Sequence, residues 1–258
     1  MAAGGKEINA VILAGRRNTG KLKDVATEEW EALIDFGGRP MAQYIVDACS
    51  GSSSVDHIAV VGPVEAMRGR ITGRNLTFVE AGDSAIDNLR RGLKALGAEG
   101  YLLICASDIP LVTPAIIDRL VADCLAKPAQ LYYPVISRED NDKKFPGMHR
   151  TYGTVREGTF TGGNIFLLDA SIVEAKLPVA EDFFAARKDV LKMAGLLGWS
   201  FLIRLVLKRL GISDIERRVG QLFGVTGKAI ICHDPEVAVD VDKPSDLELV
   251  HSLLGDRS

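Results

Sequence analysis

Short runs of apolar and β-branched residues alternate with helical patterns along most of this chain, and that alternation limits the fold more than any other feature. The strand candidates are residues 8–13, 57–61, 76–79, 101–105, 131–136, 163–168 and 229–232. Helical patterns cover 41–49, 84–96, 114–125, 171–177 and 244–254. In AVIL (10–13) and YLLIC (101–105) no polar residue interrupts the run, as expected of strands covered on both faces. Strand and helix taken in turn predict a mostly parallel sheet, with ligands beyond the carboxyl ends of its strands. Residues 137–158, rich in charge, Gly and Pro, read as a loop or edge excursion beside that site.

With 258 residues, 47% hydrophobic and 25% charged, the chain has enough apolar surface for one large domain with an embedded subdomain. A formal net charge of -3 supplies no global attraction for nucleic acid, and none is expected as a partner. Cys49, Cys105, Cys124 and Cys232 are scattered without a CxxC pair. They read as small hydrophobes in a reducing compartment rather than as zinc ligands. MAAGGKEINAV carries no signal-peptide core before the first strand, so a cytoplasmic location is expected.

Residues 181–224 break the alternation with two or three helices punctuated at Gly195, Gly198 and Gly211. They form an inserted helical subdomain within a single domain spanning 1–258, and read as a lid, a dimer contact or part of an acceptor site. No acidic residue occurs from Val190 to Ser213. Ser200, Arg204 and Lys208 recur at every fourth position on one narrow face, with Leu197, Phe201, Leu202, Leu205 and Val206 around the rest. The uncharged stretch 193–203 falls far short of the roughly 20 residues needed to cross a bilayer. A peripheral contact with a membrane or a lipid-linked substrate through 190–210 stays open beside the lid and dimer readings.

Two stretches carry candidate chemistry. In VDVDKPSDLELV (239–250) a strand end bearing Asp240 and Asp242 runs into a helix start. Pro244 and Ser245 supply the turn and N-cap, and Asp246 and Glu248 lie where the helix dipole favours negative charge. Asp242 reads instead as a ligand, because a second strand-end acid, Asp108, follows YLLIC in a similar setting. Carboxylates so placed bind a hard divalent cation, which in turn holds a polyphosphate. The other stretch is VILAGRRNTGKLK (11–23), a glycine directly after a strand and then a basic loop, suited to approach a phosphate. Gly15 to Lys21 has the GxxxxGK spacing of a P-loop NTPase, but Leu22 stands where a magnesium-binding Ser or Thr belongs.

Taken in order, ILAG with its basic loop, ALIDFGGRPMAQYIVDA (32–48), CASDIPLVTPAIID (105–118), TGGNIFLLD (161–169) and VDVDKPSDL resemble the MobA-like nucleotidyltransferases. The resemblance spans nearly the whole chain except 181–224. It implies a glycosyltransferase-A-like, three-layer α/β/α fold with a mostly parallel mixed sheet. It also implies transfer of a nucleoside monophosphate from an NTP, GTP or CTP first, to a phosphorylated or similar small acceptor, with Mg2+ and release of pyrophosphate. Molybdopterin, a sugar phosphate, an alditol phosphate and a lipid precursor all remain open as acceptors. Residue by residue, the resemblance assigns Leu13, Ala14 and Gly15 to main-chain contacts with the nucleotide. Gly82 and Asn88 fall on the stretch that lies against the base. Asp108 falls on the first metal-binding acid and Asp242 on the second, with Asp240 as runner-up. Gly162, Gly163 and Asn164 fall on the segment beside the acceptor.

One position departs from the family. Its catalytic lysine stands seven residues before the glycine of a GKP-like motif, and counting back from Gly38 reaches Glu31. A carboxylate cannot neutralise an α-phosphate, so the missing cation is sought in the loop, at Lys21 or Lys23 first and at Arg16 or Arg17 otherwise. A catalytically impaired nucleotide-binding or regulatory protein is the alternative. His149, in FPGMHRTYG, is read as solvent-facing or packing, with acceptor contact as its functional alternative.

Overall fold

The computed structural model describes residues 7–97, 99–186 and 190–255. The seven strand candidates are present: β1 (Ile8–Leu13), β2 (Ile58–Gly62), β3 (Leu76–Glu80), β4 (Tyr101–Ala106), β5 (Leu131–Ser137), β8 (Ile165–Asp169) and β9 (Gly227–Ile231). Two more, β6 (Gly153–Val155) and β7 (Gly158–Gly162), form an edge hairpin at the end of the stretch expected as loop or edge. The sheet runs β3-β2-β1-β4-β8-β5-β7-β6, with β9 also paired to β5. From β3 to β4 it is parallel; β8 then runs antiparallel to both β4 and β5.

The period of two along each central strand builds the layers. On one face of β1, Ile8, Ala10 and Ile12 join a core formed with α1 (Met41–Gly51) and α4 (Pro114–Leu125). On the other, Val11 packs with Ile86, Leu89 and Leu93 of α3 (Ala85–Leu96) and with Val173 and Leu177 of α6 (Ala170–Ala186). Strand β4 divides the same way, Leu103 and Cys105 against Leu102 and Ile104. All four cysteines are buried and free. A third cluster lies under the loops: Leu22, Ile34, Phe36, Met41, Leu111, Phe145, Val239, Val241 and Val250. The short α2 (Val64–Met67) adds Met67 to the first of these cores, α5 (Arg138–Lys144) follows β5 directly, and α10 (Pro244–Gly255) closes the described chain.

Several sequence expectations change. Helix α6 was expected to stop at Leu177, before Pro178, but runs on to Ala186 with the proline inside it; Val173 and Leu177 are buried on the sheet and hold it there. The inserted segment supplies α7 (Val190–Leu197), α8 (Trp199–Val206) and α9 (Ile212–Phe223). Gly195 does not punctuate it, whereas Gly198, at φ 87, and Gly211 do. The expected Ser200, Arg204, Lys208 stripe is cut, because α8 ends at Val206 and Lys208 turns left-handed at φ 56. Residues 239–242, expected as a strand end, belong to no strand. No helix among the described residues is long and apolar enough to cross a membrane.

Candidate active site

The carboxyl ends of β1 and β4 open on a cleft of ≈ 510 Å³. Asp108 sits just past β4, and the segment 239–242 passes beside it. The two are tied by one backbone bond, from the Val241 amide to the Asp108 carbonyl at 2.9 Å. Val239 and Val241 are fully buried, whereas Asp240 and Asp242, on either side of Val241, line the cleft. One carboxylate oxygen from each of Asp108, Asp240 and Asp242 lies within 4.8 Å of the others. The second acid and its runner-up thus reach the same place.

Charge crowding follows. Burial, reinforced by Asp240 and then Asp242, pushes the Asp108 carboxyl up to about 7. Its Oδ1 is buried without a hydrogen-bond partner among the described residues. Burial also raises Asp240, against the pull of Arg150, which pairs with it through Nη1. Hard oxygen donors at this spacing, one of them unsatisfied, suit a magnesium ion.

Arg16 is the loop cation brought to the acids. Its Nη1 lies 2.9 Å from Asp242 Oδ1 and 4.0 Å from Asp108 Oδ2, and its Nε lies 3.0 Å from Glu31 Oε2. Glu31 is buried, and that burial raises its carboxyl pKa against the pull of Arg16. Arg17 turns away, paired with Glu29 and stacked over Trp30. Lys21 lines the cleft and Lys23 does not; between them Leu22 is buried in the third cluster and pins the turn. That burial accounts for a leucine where a P-loop needs a hydroxyl. The turn is a four-residue 3-10 helix, Lys21–Asp24, so the loop has no α-helix N-terminus to receive a phosphate as a P-loop does.

The expected nucleotide contacts form a second group off the cleft wall. The Gly82 amide donates to Asn88 Oδ1 at 2.7 Å. A Cβ on Gly15 would lie 2.8 Å from Ala81 Cβ and 3.0 Å from Asn88 Nδ2. Gly15, Gly82 and Asn88 therefore meet, although far apart in sequence. Ala14 is buried, its amide bonded to the Val61 carbonyl, and Leu13 closes β1. Of the acceptor segment, a Cβ on Gly162 would strike the Tyr133 hydroxyl at 2.2 Å, and one on Gly163 would strike Val237 at 2.9 Å. Asn164 bonds through its main chain to Val237 and Ala106. These residues brace the turn that carries the acids, and Thr161 beside them lines the cleft. His149 lines it too and is exposed to solvent.

Arg150, Lys243 and Thr161 complete the wall, and sequence reading passed over all three. The only signals were that Lys243 adjoins Asp242 and Arg150 adjoins His149. Among the described residues, none of 181–224 lines the cleft.

Solved structures of nucleotidyltransferases share this fold. A hypothetical transferase from Thermus thermophilus superposes with a TM-score of 0.83 at 34% identity, over 93% of this chain and 99% of that one. The 4-diphosphocytidyl-2C-methyl-D-erythritol synthase of Anaerococcus prevotii shares the fold, with a TM-score of 0.60 at 14% identity over 97% of this chain and 99% of its own. A 2-C-methyl-D-erythritol 4-phosphate cytidylyltransferase from Nocardia farcinica is 30% identical over 100 residues, 37% of this chain and 44% of the relative. The chain thus matches less than half the length of that curated relative. The fold is the glycosyltransferase-A-like architecture of nucleotidyltransferases. Residues 10–192 match the MobA-like NTP transferase domain, and the chain belongs to that family. Asp240 and Asp242 lie beyond the matched stretch, so their place in the site rests on geometry.

Proposed function

We propose that this protein moves a nucleoside monophosphate from an NTP to a phosphorylated small acceptor, releasing pyrophosphate, with Mg2+ held by Asp108, Asp242 and Asp240. The reading is carried by the meeting of three carboxylates from two distant segments beside Arg16. When bound, the metal offsets charge on the nucleotide phosphates. Arg16 and Lys21 face the phosphates from the loop and supply the cation that Glu31 does not. Gly15 lets the main chain come close, and Asn88 fixes the Gly82 turn against the base. An acceptor phosphate oxygen, already ionised, attacks the α-phosphorus in line and displaces pyrophosphate, so no base or covalent nucleophile is needed from the protein. Arg150, His149 and Thr161 line the same cleft and are suited to hold the acceptor. The cytidylyltransferase relative favours CTP over GTP and a polyol phosphate over molybdopterin.

The test is pyrophosphate release with each NTP, Mg2+ and a panel of sugar and alditol phosphates. CTP-dependent release that Asp242→Ala abolishes is the expected result. A second reading, nucleotide binding without transfer, is favoured by Glu31 in the lysine's place. Stabilisation by NTP and Mg2+ with no pyrophosphate from any acceptor would select it. No stabilisation by any NTP would sink both.

A further inference from the structure

We propose that the exposed face of α8 docks on an anionic lipid bilayer. Trp199, Ile203 and Val206 recur at helical spacing on one side of α8, and Leu207 follows. They are 57%, 55%, 79% and 53% exposed, and α8 buries none of its residues. Large apolar side chains so exposed and contiguous mark a contact surface. Positive charge lies beside them: Arg204, Lys208 and Arg209 are exposed, and Val190 to Ser213 contains no acid. Arg204 pairs with Asp214 at 3.3 Å, while Lys208 and Arg209 make no ion pair among the described residues.

An apolar stripe with cations at its margin matches the boundary between acyl chains and anionic headgroups. A second copy fits poorly. A two-fold contact would set Lys208 and Arg209 near their own counterparts with no acid in the segment to meet them. An eight-residue helix, about 12 Å long, is also small beside the ~800 Å² per partner of a standard interface.

The surface is coupled to the cleft by the chain itself. The Arg156 amide donates to the Leu210 carbonyl at 2.9 Å, and the Ile212 amide to Glu157 Oε2 at 3.0 Å. This fixes the end of the segment to the β6–β7 hairpin, whose approach begins at Thr151 in the cleft wall. The docking surface itself does not depend on nucleotide transfer.

Co-sedimentation of the full chain with vesicles tests the proposal. Binding is expected with phosphatidylglycerol–phosphatidylcholine vesicles and not with phosphatidylcholine alone. Lys208→Gln and Arg209→Gln should each lower the partition about fivefold. Trp199→Ser with Val206→Ser should lower it at least tenfold, with an unchanged circular-dichroism melt. Absence of binding to anionic vesicles, or binding that these variants leave intact, overturns the proposal. A dimer in sedimentation velocity that Val206→Asp disperses overturns it as well, and makes the face a contact between copies.

Discussion

Arg16 and Glu31 form an ion pair, Nε to Oε2 at 3.0 Å, at the place where the family resemblance puts a lysine. Glu31 is buried and Arg16 is half exposed, so the carboxylate anchors the guanidinium, whose Nη1 reaches Asp242. The cation is thus moved from the end of the loop to its start and held from behind. Arg16→Ala should weaken NTP binding about 10-fold to 100-fold, the scale of one charge-assisted hydrogen bond. It should also cost about 1–3 kcal/mol by stranding buried Glu31. Arg16→Ala with Glu31→Gln should recover stability but not affinity. Calorimetric titration and urea unfolding separate the two effects.

The acid cluster predicts an opposite pair of responses. Magnesium or manganese should raise the Tm of the wild type and leave Asp108→Asn unmoved. In EDTA at pH 8, Asp108→Asn should be the more stable protein by about 2–6 °C, because it removes a crowded carboxylate. A stabilised Asp108→Asn that still responds fully to the cation would count against the site.

The pH dependence has a definite sign. Asp108 titrates near 7 when folded and near 3.9 when unfolded, so between these values the folded state binds the extra proton. Without a cation, stability from this group should be greatest below about pH 4 and fall as pH rises to about 7. Saturating magnesium should abolish the decline. Urea midpoints at pH 5 and pH 8, in EDTA and in magnesium, measure it, and Asp108→Asn should flatten the EDTA profile.

Gly15 is needed for space. Gly15→Ala brings a methyl within 2.8 Å of Ala81 Cβ, an overpacking cost of about 1–3 kcal/mol. Asn88→Ala should cost about 1–2 kcal/mol by stranding the Gly82 amide. Both should also weaken NTP-induced stabilisation, read by thermal shift.

The two loop lysines should behave differently. Lys21→Ala is expected to weaken NTP binding about 5-fold to 20-fold, since Lys21 faces the cleft. Lys23→Ala is expected to stay within twofold. Equal effects would mean that the turn rearranges around Leu22 when the nucleotide binds.

Much of the fold was legible because it is periodic. Unbroken apolar runs announced β1 and β4, and their alternate residues do divide between two helical layers. The helix through Pro178 was not legible, because packing on the sheet outweighed a local break. Nor was the break in the strand expected at 239–242, where the backbone finds no ladder and is tied to Asp108 through the Val241 amide.

The sequence by itself determined which residue types were on hand: acids after an apolar run, a glycine just beyond β1, cations in the loop after it. It could not say which cation faces the acids. That depends on Leu22 being buried, on Glu31 turning inward and on Arg17 turning out to Trp30, contacts between segments with no sequence periodicity. Local pattern reports the direction of a side chain relative to its own backbone. Only the packed tertiary structure decides what stands opposite it.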